Sequence, residues 1–123
     1  MTLAASLLVI GRVIFGLFFL IAGIRNFSHF PERKNSKTNY GWPLPTILAA
    51  LGFGVQIVGG LFLILGMWTV LGALALIIFL VLATCLFHNL FLFKGEERNP
   101  HLYFTLVNIT LAGGLLMVIA EAL

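Results

Sequence analysis

Arg12, Gln56, His88 and Asn108 are the polar side chains that interrupt otherwise apolar runs of this chain, and any chemistry inside those runs rests on them. An arginine within an apolar helix costs at least ~2.5 kcal/mol even on the mildest insertion scale, so its presence implies partners. The guanidinium offers a fork of N–H donors and no acceptor, which suits a carbonyl, a carboxylate or a phosphate. Arg12 shares a helical stripe with Gly16 and Gly23, and Gln56 shares one with Gly52, Gly59 and Gly60. Small residues mark the face where another helix comes close, so both polar groups are expected to point into a bundle; the alternative for Arg12 is a topological anchor that snorkels outward past Thr2 and Ser6. Counted along the runs, Gln56 falls at about the depth of Arg12, which makes its carbonyl oxygen the natural first acceptor for the guanidinium.

A second polar layer is expected nearer one end. His88 precedes the end of the third run and Asn108 follows the start of the fourth, so both should lie ~8–9 Å below the surface. His88 could relay a proton, donate to a quinone or stand as a neutral imidazole satisfied by Asn108 or Asn89. A haem would want a second axial ligand, and the other histidines, His29 and His101, sit at loop edges. No cysteine pair forms a metal motif, and the single Cys85 reads as a core residue. Asn26-Phe27-Ser28 and Asn108-Ile109-Thr110 match a glycosylation acceptor, one at a loop edge and one inside a helix.

The elements that must hold these groups follow from the apolar runs, roughly residues 3–24, 44–66, 68–93 and 102–122. Each approaches the ~20 apolar residues that carry a helix across a ~30 Å hydrocarbon layer. They do not alternate as barrel strands would: Leu61-Phe62-Leu63-Ile64-Leu65 and Leu76-Ile77-Ile78-Phe79-Leu80 are apolar on every face. Backbone polar groups in lipid must be paired internally, so the runs are helices. The chain is therefore expected to be all-α, a single integral membrane domain over residues 1–123. Its four transmembrane helices would pack with antiparallel neighbours, with one longer loop between the first and second. Pro43 and Pro45 open the second helix, Gly66 closes it and Pro100 precedes the fourth. The first run lacks the basic flank of a signal peptide and reads as a permanent helix.

Composition excludes other classes. Hydrophobic residues make up 61% and charged residues 9% of the 123, against ~25% charged in a soluble domain. The net charge of +3 comes from cations that flank helices, which points to topology and not to nucleic acid. Of seven lysines and arginines, Arg25, Arg33, Lys34 and Lys37 lie in the first loop and Lys94 and Arg98 in the second. Both loops follow odd-numbered helices and share a side. The positive-inside rule puts them in the cytoplasm and both termini outside. Tyr40, Trp42 and Tyr103 mark the loop-side interface and Trp68 the other.

With these residues in place the chain resembles the DoxX family of small four-helix membrane proteins, over nearly its whole length. Gly11-Arg12 followed by Phe15-Gly16-Leu17-Phe18-Phe19 and Ala22-Gly23-Ile24 resembles the family's opening signature. Gln56-Ile57-Val58-Gly59-Gly60 resembles its glycine-rich second helix, Thr84-Cys85-Leu86-Phe87-His88 the end of its third, and Val107-Asn108 with Gly113-Gly114 its fourth. The resemblance implies a link to redox enzymes: some members are membrane subunits, including one that passes thiosulfate electrons to quinone, and others associate with oxidative-stress proteins. The chain departs from the pattern at Gln56, where the family often has Glu, and at Val107, where it often has Lys.

The expected function is a membrane subunit or scaffold of a redox-linked assembly, surrounded by lipid and joined to a protein partner or to further copies of itself. Arg12, Gln56, His88 and Asn108 would border its intramembrane site, with a quinone or a lipid as ligand. The alternatives are a stand-alone oxidoreductase with a quinone at that cavity, and a small dimeric transporter. A cation transporter would want an intramembrane carboxylate, which the helices lack.

Overall fold

The computed structural model describes residues 1–34 and 36–123, and the chain there is a four-helix bundle with three short elements in its loops. Helix α1 spans Leu3–Ser28 and is capped by Thr2, whose hydroxyl oxygen accepts from the Ala5 amide at 3.0 Å. A single turn, α2, covers Phe30–Arg33 with Pro31 in its first turn. Helix α3 runs Thr46–Leu65, α4 runs Thr69–Phe87 and α5 runs Arg98–Ala122. Four helical spans, beginning at Leu3, Thr46, Thr69 and Gly95, are long and apolar enough to cross a membrane. The protein is a multi-pass integral membrane protein.

Two boundaries differ from the sequence reading, each for a local reason. The third long helix stops at Phe87 and not near residue 93. The Asn89 side-chain oxygen accepts from the Phe91 amide at 3.1 Å and turns the chain into a 3-10 turn over Leu90–Leu92. The fourth begins earlier than residue 102, at Arg98, because Pro100 in a first turn lacks only an N–H that would have no intrahelical partner.

The helices pack in chain order. α1 lies along α3, α3 along α4 and α4 along α5, and the ring of Phe15 on α1 meets Gly114 on α5. Phe19, Leu63, Ala73, Leu76, Leu80 and Leu115 form the buried core. Most other large apolar side chains face outward, among them Leu7, Ile14, Ile47, Leu71, Ile78 and Ile109. That outward surface is what a lipid-embedded bundle presents, since lipid tails solvate leucine as well as a protein core does.

The α1–α3 seam is a backbone contact. A Cβ on Gly16 would stand 2.6 Å from the Gly60 carbonyl oxygen, and one on Gly60 would stand 2.7 Å from that of Gly16. No side chain fits there, so the glycines set the register between these antiparallel helices. Gly23 faces Phe53 and Gln56, Gly16 faces Gly60 and Ile64, and Arg12 faces Gly66. α1 therefore overshoots its neighbour: Arg12 sits level with Gly66, the cap of α3, and Leu3–Gly11 extend beyond it.

Candidate functional site

The four intramembrane polar residues do not converge on one cavity. They fall into three separate places along the bundle.

Gln56 is 6% exposed, and its side-chain oxygen accepts from Asn26 Nδ2 at 2.8 Å. The Asn26 oxygen in turn accepts from Arg33 Nε at 3.2 Å. The arginine in this network is Arg33, reaching back from the first loop, and the expected Arg12–Gln56 bond is not formed. Register is the cause. Gln56 stands level with Gly23, eleven residues along α1 from Arg12, a separation of ~16 Å. Counting depth from each helix's own end missed the overshoot of α1. Asn26 gave one usable signal, because it lies one turn from Gly23 on the face that must approach α3.

The loop-side layer closes the end of α4. The last carbonyls of a helix have no intrahelical donors, and here the first loop supplies them. The Asn39 amide donates to the Leu86 carbonyl at 2.7 Å, and Asn39 Nδ2 donates to that of Cys85 at 3.1 Å. The Tyr40 hydroxyl donates to the same Cys85 carbonyl at 3.4 Å and accepts from Asn89 Nδ2 at 3.2 Å. Thr38 is buried and closes its own turn, its hydroxyl donating to the Trp42 carbonyl at 3.0 Å. Cys85, expected in the core, is an exposed free thiol whose backbone does the work at this junction.

His88 caps α4, and its partner is His101 on α5, with the two Nδ1 atoms 2.9 Å apart. One imidazole carries the hydrogen and the other accepts it, so the bond holds one proton and not two. His88 stacks on Phe104 at 4.9 Å and His101 on Phe93 at 3.7 Å between ring centroids. The Thr105 hydroxyl lies 2.7 Å from the His101 carbonyl and 3.1 Å from that of His88, which ties the two helix ends together. Neither Asn108 nor Asn89 satisfies His88. Asn108 Nδ2 donates to the Thr84 hydroxyl at 2.9 Å, beside a shallow apolar cleft of about 160 Å³ between α4 and α5. Because α5 begins at Arg98, His101 lies within the helix, on one stripe with Thr105 and Asn108, and reaches His88.

Arg12 lies at the other end, half-buried, in a larger open cleft of about 700 Å³. The cleft is bounded by Gly66, the first turn of α4 from Trp68 to Leu71, Leu74 and Ala122. The guanidinium packs over the α3–α4 turn, where a Cβ on Gly66 would lie 2.8 Å from Nη2. Its Nε is buried without a hydrogen-bond partner.

The DoxX family model matches residues 7–89, from before Arg12 to just past His88. The chain belongs to the DoxX family. Neither a curated protein nor a solved structure matches it significantly. The DoxX match spans α1 to the end of α4 and includes Arg12, Gln56 and His88, while α5, which brings His101 and Asn108, lies outside it. Among the described residues no group of three or more His, Cys, Asp or Glu side chains is placed to hold a metal ion.

Proposed function

We propose that this DoxX-family chain is a membrane subunit or scaffold of a redox-linked assembly, and that its partner docks on the loop-side face. The redox link is what the family resemblance implies, and the observation that carries the docking face is the fixed first loop. Bonds from Asn39 and Tyr40 hold it against the end of α4, and it displays Tyr40 and Trp42 as an exposed stacked pair, ring centroids 6.4 Å apart. Arg33, Lys34 and Lys37 in this loop, and Lys94 and Arg98 in the second, are exposed on the same side. A preorganised aromatic pair among cations costs little ordering entropy on binding and matches the residue types that dominate interface energies. By the positive-inside rule this face is cytoplasmic in a bacterial plasma membrane. Crosslinking in membranes, followed by extraction in mild detergent and mass spectrometry, should recover a redox protein with the wild type. Recovery should fall at least tenfold for Tyr40→Ser with Trp42→Ser. Equal recovery from both would refute the docking face.

A second reading rests on the His88–His101 pair. A quinone head group entering from lipid between Phe93 and Phe104 would meet an imidazole N–H able to donate a hydrogen bond to its carbonyl oxygen. The purified chain would then bind quinone alone, and His88→Phe would abolish that binding. A chain that binds quinone without the histidines would exclude this site.

A further inference from the structure

We propose that the Arg12 cleft, at the end of the bundle away from the loops, is a binding site for a phosphate-type oxyanion. Three observations converge there. The guanidinium has no hydrogen bond or ion pair among the described residues, and its Nε is buried and orphaned. The two Nη groups, unlike Nε, are not enclosed, and they stand at the cleft as charged donors without a protein acceptor; hydrogen bonds to charged groups are the strong ones. The cleft beside it is about 700 Å³, ample for a phosphate group with the atoms that carry it.

The N-terminus of α4, Trp68 to Leu71, lines the same cleft. Trp68 provides no side-chain cap there, so the first-turn N–H groups have no intrahelical acceptor. A helix N-terminus carries about half a unit of positive charge, the same sign as the guanidinium facing the same space. The backbone is also held against its preference at this point: Trp68 has φ 49°, a left-handed conformation that is uncommon for a bulky residue. The nearest acidic residue in the chain, Glu121 beside Ala122, is exposed and forms no ion pair with Arg12. An oxyanion with several acceptor oxygens would satisfy both sets of donors at once, and phosphate matches a guanidinium fork in two parallel hydrogen bonds.

The ligand can be a phospholipid headgroup or free phosphate, and titration of the delipidated full chain in mild detergent, read by native mass spectrometry, separates them. Phosphatidylglycerol and inorganic phosphate are titrated in separate arms. We expect one tight site for at least one of them; saturation by inorganic phosphate at concentrations as low as those of the lipid assigns the site to free phosphate, and a clear preference for the lipid assigns it to the headgroup. Arg12→Gln should weaken that site about tenfold or more, since hydrogen bonds to charged groups are the strong ones. Leu74→Trp fills the cleft without touching the arginine and should weaken it as well, which keeps the test decisive if Arg12→Gln fails to fold. Arg33→Gln, at the far end, and Glu121→Gln should leave it unchanged. Wild-type binding by both Arg12→Gln and Leu74→Trp overturns the proposal. So does a large gain on Glu121→Gln, which would show that the carboxylate occupies the arginine in solution.

Discussion

His88 and His101 meet end to end across α4 and α5, their Nδ1 atoms 2.9 Å apart, so each ring's hydrogen bond depends on the other being present. A reciprocal bond of this kind should be visible as coupling. Replacing either histidine by phenylalanine should destabilise the bundle by ~1 kcal/mol, and replacing both should cost less than the sum. The measurement is a double-mutant cycle in detergent unfolding, and strict additivity would show that the bond contributes nothing.

The Asn26–Gln56 bond predicts a different pattern. Asn26→Leu leaves the buried Gln56 oxygen without its donor and should cost ~1–3 kcal/mol. Arg12→Leu with Gln56→Leu should be additive within ~0.5 kcal/mol, because the two sites lie far apart and share no partner. Strong coupling between Arg12 and Gln56 would contradict the register described above.

Gly16 and Gly60 should resist even the smallest enlargement. A methyl group on either meets backbone of the facing helix, so Gly60→Ala should separate α1 from α3 and cost ~1–3 kcal/mol or more. Gly113→Ala, where nothing lies within 4 Å, serves as the control and should be nearly neutral.

Gly66 combines two constraints. Its φ of 70° favours glycine, and the Arg12 guanidinium occupies the space a side chain would need. Gly66→Ala should therefore lower Tm more than an ordinary helix-end substitution. In an Arg12→Gln background, where the contact is relieved, part of that loss should return.

Orientation is tested by cysteine labelling of intact cells in a Cys85→Ser background, since the native thiol is exposed. A membrane-impermeant reagent should modify Thr69→Cys and spare Lys37→Cys. Modification of Lys37→Cys instead would invert the topology.

The helices were legible because hydropathy alone specifies them: runs apolar on every face over Leu61–Leu65 and Leu76–Leu80 admit no other element in lipid. The polar contacts were less legible, for a geometric reason. Which residue faces which depends on the stagger between helices, and the stagger is set by close approach at Gly16 and Gly60, which a residue-by-residue count cannot see. Asn26 and Arg33 read as loop-edge residues in the sequence, yet together they hold the buried Gln56. The capping of α4 by Asn39 and Tyr40 was hidden for a similar reason, since the bonds join residues 45 and 46 positions apart.

The overshoot of α1 bears on the membrane itself. α1 has 26 residues and α3 has 20, lengths of ~39 and ~30 Å for antiparallel neighbours in register. A hydrocarbon layer of uniform ~30 Å thickness matches the shorter helix and leaves the apolar segment Leu3–Ile10 to be accommodated. Lipid must thicken along one flank of the molecule, or the whole bundle must lean toward the other, at a cost of fractions of a kcal/mol per ångström. Either response gives this protein a preference among bilayers of different thickness, so acyl-chain length becomes a variable that selects where it resides.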